Sequence, residues 1–174
     1  VAFLVITQSG LCESEFLMLK ALLSCITALG EVPFGHITDK IGYKNSLILY
    51  QVLLLIARAL LFAAFLSRSL LHFVVEAVVE GAAFCFASGT SSAYLYELLG
   101  EEGYLAKSTR AGNFSTAGFI ISTLSYVLIY DSLGLQGLLA ATVISGAISF
   151  TLSFFIERLS LIQISEPTRR VVIA

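Results

Sequence analysis

Apolar residues in this chain come in long runs separated by short polar breaks, without the regular polar face of a surface helix. A helix rising 1.5 Å per residue needs about 20 apolar residues to cross a bilayer. Runs of that length cover residues 15–36, 46–66, 70–98, 110–130 and 135–156, and each predicts a transmembrane helix. Residues 1–6 are apolar but too short to span, and are expected to be the end of a first helix whose beginning is missing. Residues 7–14 then read as a loop, residues 67–69 and 131–134 as tight turns, and residues 100–109 as a polar loop. Pro33 is expected to bend the last turn of the first full span. The bundle is assigned to residues 1–158, and residues 159–174 are expected to be a loosely ordered polar tail.

Composition fixes the solvent. With 57% hydrophobic residues, 13% charged residues and a mean hydropathy of +0.92, the chain carries more apolar surface than a water-soluble fold of its length can hide. The fold class is therefore an all-α membrane protein with the lipid bilayer as its first partner. The net charge of −2 comes with no dense basic run, which argues against nucleic acid. Cys12, Cys25 and Cys85 lack metal-ligand spacing, no cofactor motif is present, and no nucleophile–base pair points to an enzyme.

Charges inside the spans are the candidate chemistry, because an ionisable group at mid-bilayer costs about 2.5–3.5 kcal/mol on insertion scales. Arg58 and Glu76 fall at matched depths on successive helices, which predicts an ion pair. Glu80, one turn beyond Glu76 on the same face, lacks an evident cation and is the candidate proton carrier. Glu31 is the candidate for an inner-side charge network, with Glu97 near a helix end. Tyr94 is a candidate cavity residue, and Asn113, with Ser115 and Thr116, gives its helix a polar face for interhelical hydrogen bonds. Two stripes of small residues, Gly81/Cys85/Gly89/Ala93 and Gly137/Ala141/Ser145/Ser149/Ser153, are read as helix-packing seams. Lys40, Lys44, Lys107, Arg110, Arg158, Arg169 and Arg170 fall on one side, against Lys20 and Arg68 on the other, so the positive-inside rule makes the hinge near residue 40 cytoplasmic.

That hinge reads Gly35-His-Ile-Thr-Asp39-Lys40-Ile-Gly42-Tyr43-Lys44. Gly35 and Gly42 supply a permissive backbone, and Lys40 and Lys44 are expected to share a face toward anionic headgroups. Asp39 adds nothing to membrane retention and so calls for a specific partner. The pattern resembles the loop between the second and third helices of the major facilitator superfamily, with Tyr43 standing where that family usually carries a basic residue. Glu31-Val-Pro-Phe-Gly35 and the segment from Ser88 to Glu97 resemble its second and fourth helices.

The resemblance implies the amino-terminal half of a twelve-helix fold: five complete helices plus the end of a first, completed by a second half that this chain lacks. It implies a secondary active transporter of a small solute, an efflux permease of the cell membrane working by alternating access, with the tail also cytoplasmic and the proton as a candidate coupling ion. Gly35, Asp39, Lys40, Gly42 and Lys44 would form its cytoplasmic gating motif. The arginine and the Gly-Pro pattern that proton-coupled drug exporters carry in their fourth and fifth helices are absent. The rival reading is a truncated, non-transporting remnant or a membrane interaction protein.

Overall fold

The computed structural model describes Val5 and residues 8–165, with side chains described at Val5 and at residues 8–97, 99–100, 103–105 and 107–153. It is all-helical, with no strand among the described residues: α1 (Glu13–Ile41), α2 (Tyr43–Ser67), α3 (Leu70–Ala87) and α4 (Thr90–Ser165). The α1 start is set by a reciprocal cap in which the Glu15 carboxylate accepts the Cys12 N–H at 2.8 Å. Glu13 and Glu15 in the first turn also complement the helix dipole.

Each later break falls where the backbone enters the left-handed half of φ space. Gly42 (φ 86°) separates α1 from α2, and Gly89 (φ 71°) lies between α3 and α4. Arg68 (φ 50°) is the one non-glycine residue of this kind among those described, closing α2 by donating its N–H to the Ala64 carbonyl at 2.9 Å. Within α4, Gly100 (φ 66°) and Gly134 (φ 65°) interrupt the helical path. Four segments are long and apolar enough to cross a membrane: Glu13–Ile41, Tyr43–Ser67, Leu70–Glu97 and Gly103–Ser153. Leu29, Val32, Phe114 and Leu128 lie outward and largely uncovered, a surface suited to lipid.

α2 packs along α3 and against α4, and α1 packs on α3 while scarcely touching α2. The core gathers at one end of the bundle, where the start of α1, the α2–α3 turn and the Gly134 corner converge. Phe73 and Leu139 are fully buried there beside Leu19, Leu61, Ala64 and Leu135. Val5 joins this core, and Gln8 donates to the Tyr130 hydroxyl at 3.0 Å, so these two residues cap the same end.

Several expectations are corrected. Helix continues through Gly35 to Ile41, because the i→i−4 ladder persists until the Gly42 N–H donates to the Thr38 carbonyl at 2.8 Å. The hinge is thus a one-residue elbow, and Lys40 and Lys44 sit on different helices instead of sharing one helical face. The run 70–98 is broken at Ser88–Gly89, and the expected loop at 100–109 is helical apart from Gly100. Helix also continues through the first part of the expected tail, to Ser165, and residues 166–174 lie outside those described.

Candidate functional site: an intramembrane polar seam

α1 and α3 pack in parallel register, with α2 running back between their levels, and this brings their charged residues to one level. Counted from the end where the core lies, Lys20 is seven residues into α1, Arg58 nine residues from the end of α2, and Glu76 and Glu80 six and ten residues into α3. At 1.5 Å per residue these depths run from about 9 to 15 Å. Glu76 accordingly lies within electrostatic reach of Glu80, Lys20 and Arg58, and Tyr50 within reach of Arg58 and Glu80. The direct Arg58–Glu76 ion pair expected from matched depth is not formed, and Lys20 joins the array as a second cation that sequence spacing did not assign to it.

Arg58 is drawn instead toward α4. Together with Gln51, Leu54 and Leu55 of α2 and Thr142, Ser145, Gly146 and Ser149 of α4, it lines a cleft of about 180 Å³. Small side chains make the room: a Cβ on Gly146 would meet Leu55 at 3.4 Å and Arg58 at 3.9 Å. Three of the hydroxyls have assigned acceptors, Thr142 donating to the Leu139 carbonyl at 2.7 Å, Ser145 to the Thr142 carbonyl at 3.1 Å and Ser149 to the Gln51 carboxamide oxygen at 3.4 Å.

The α1–α3 contact is different. A Cβ on Gly81 would lie 2.9 Å from Ile26, and one on Gly30 would lie 2.6 Å from the Cys85 sulfur. Buried Cys85 sits 3.6 Å from the Ile26 and Thr27 carbonyls. Phe34 and Phe86 close the seam edge-to-face at 4.8 Å. Glu31 lies at the rim, exposed, and accepts a hydrogen bond from the Ser88 hydroxyl at 3.2 Å across the two helices. Gly30 is the partner of the Gly81/Cys85 stripe that sequence reading missed, although its four-residue spacing from Ile26 and Phe34 carried the signal.

At the elbow, Ser46 donates to the Thr38 hydroxyl at 3.1 Å, both residues buried, and Asn45 donates to the Ile41 carbonyl at 2.7 Å. These bonds brace α1 against α2 around Gly42. Asp39 and Lys40 are exposed beside the brace, and Lys44 is half-buried at the start of α2. Of the other candidates, Tyr94 is half-buried and Glu97 exposed; neither joins the polar array. Asn113 is also exposed, in a stretch (111–124) that is exposed throughout, so the expected interhelical bonds are not made among the described residues. Its neighbour Thr116 donates within its own helix, to the Gly112 carbonyl at 3.0 Å.

Ahead of α1, exposed Cys12 has its thiol held below the ordinary range, chiefly by hydrogen bonding to the Ser14 backbone and then to the Ser14 side chain. No metal-binding cluster occurs among the described residues. No protein-family model matches the chain, and no curated protein or solved structure is similar to it. What is established is the class: an all-α protein of membrane type, carrying a half-buried polar array, with Lys20 exposed at its edge, and a braced elbow.

Proposed function

We propose that this chain is the amino-terminal bundle of a secondary active transporter of the major facilitator type, an efflux permease that moves a small solute by alternating access. The observation that carries the reading is the elbow. A gating loop must hold its shape while presenting a group for another surface to grip. Here Gly42 and the Thr38–Ser46 bond fix the corner, and the Asp39 carboxylate stands exposed beside it. A carboxylate there is stabilised by a helix amino end by about 0.3–1 kcal/mol when exposed and up to about 2 when partly buried. That is enough to bias a two-state equilibrium by roughly tenfold per 1.4 kcal/mol without being needed to fold the bundle.

In this reading the bundle crosses the membrane five times, Gly134 folding the long α4 back on itself, with the elbow on the cytoplasmic side, an orientation that the Lys and Arg distribution favours. The exposed stretch 111–124 is a face for the helices of a second half. Glu76 and Glu80, held in one array with Lys20 and Arg58, are the groups through which a proton would couple.

The test uses energised everted vesicles from cells expressing the reading frame that encodes this chain, screened with radiolabelled small solutes. A solute accumulated by the wild type and moved about tenfold more slowly by Asp39→Asn, at equal protein level, is the expected result. A full panel with no solute moved would favour the rival reading, a non-transporting membrane interaction protein.

A further inference from the structure

We infer that the cleft between α2 and α4 is a binding site for a single anionic group, a carboxylate or a phosphate, held by Arg58 and Gln51. It stands on the cleft alone and does not depend on transport.

Arg58 lies about 13 Å from the end of α2, inside the apolar part of a 25-residue helix. A guanidinium presents five N–H donors and never loses its charge, so at that depth it demands acceptors. Among the described residues it has no hydrogen-bond partner and no ion pair, and its influence on Glu76 and Tyr50 is electrostatic only. The cleft supplies no acceptor charge of its own, since its other polar lining is one amide and three hydroxyls.

Gln51 is aimed to help. Its carboxamide oxygen is taken by the Ser149 hydroxyl at 3.4 Å, which leaves the NH₂ as the free end of the group. Ser145 and Thr142 already spend their protons on backbone carbonyls of their own helix. The free donors of the cleft are therefore a guanidinium and an amide, a set that selects anions over cations and over neutral sugars. Size narrows the ligand further. About 180 Å³ is below the roughly 300–1,000 Å³ of pockets that hold drug-sized molecules, so the site fits one acid group or one headgroup phosphate.

A free carboxylate or phosphate and the phosphate of an anionic lipid share this chemistry, and the experiment separates them. The protein is placed in phosphatidylcholine nanodiscs, and its melting temperature is followed against inorganic phosphate and succinate at constant ionic strength. A second set of nanodiscs contains phosphatidylglycerol. A saturable rise of roughly 2–4 °C is expected in at least one arm, and its loss in Arg58→Gln. A rise with the soluble anions assigns an aqueous ligand, and a rise with phosphatidylglycerol alone assigns a lipid. Should Arg58→Gln fail to fold, Gly146→Val keeps the charge, fills the cleft and should equally abolish the rise. No stabilisation in either arm, or a rise that survives both substitutions, overturns the site.

Discussion

The α1–α3 seam and the α2–α4 cleft are built from the same kind of residue to opposite ends. Along α1–α3, Gly30, Gly81 and Cys85 let two backbones approach until an added methyl would clash, the contact on which helix association in lipid depends. Along α2–α4, Ser145, Gly146 and Ser149 stand opposite the long side chains of Leu55, Arg58 and Gln51, and the space they leave stays open, with polar groups on an otherwise apolar lining. A small residue thus closes a gap or creates one according to what faces it. The first seam is a rigid joint and the second a place where something can bind.

Substitutions at the two sites should separate them most sharply. Gly81→Leu or Gly30→Leu should destabilise the bundle by roughly 1–3 kcal/mol or more through overpacking, read as a large fall in melting temperature in detergent. Gly146→Ala, whose added methyl meets only ordinary contacts at 3.4 and 3.9 Å, should melt close to the wild type. Equal losses at the two positions would erase the distinction between joint and cleft.

A smaller effect is expected at the elbow. Ser46→Ala removes a buried hydroxyl bond to Thr38 and should cost about 0.5–1.5 kcal/mol in the same melts. Asp39→Asn, one residue beyond Thr38 but exposed, should stay within about 0.5 kcal/mol of the wild type. A large loss there would mean the carboxylate is anchored inside this bundle, and its proposed role as the gating group gripped by another surface would have to be abandoned.

The helices were legible in the sequence because lipid imposes a run length that few other folds share. Their ends were less so. Polar residues at 35–41 and 101–109 suggested loops, yet helix needs only its backbone ladder. The chain turns instead at single positive-φ residues, Gly42, Gly89, Gly100 and Gly134, which look like the helical Gly35 and Gly118 in the sequence. The charged array was half legible. Counting residues along each helix gave the depth of Arg58 and Glu76, but rotation about the helix axis decides the partner. Arg58 lines the cleft facing the small residues of α4 and makes no ion pair with Glu76, and Lys20 entered from a helix with no obvious link to either.

The transporter reading requires that α1 cross the membrane, with its Cys12 end and its elbow on opposite sides. Membrane-impermeant maleimide applied to intact cells measures this directly, comparing native Cys12 with an Asn45→Cys variant in which Cys12 is replaced by serine. Cys12 should label from outside, and the rate should persist at lower pH than for an ordinary thiol, because the hydrogen bonds at Ser14 favour the thiolate. The cysteine at position 45 should label only after permeabilisation. Labelling of both positions from the same side would contradict the crossing, and with it the intramembrane placement of the array and the transporter reading built on it.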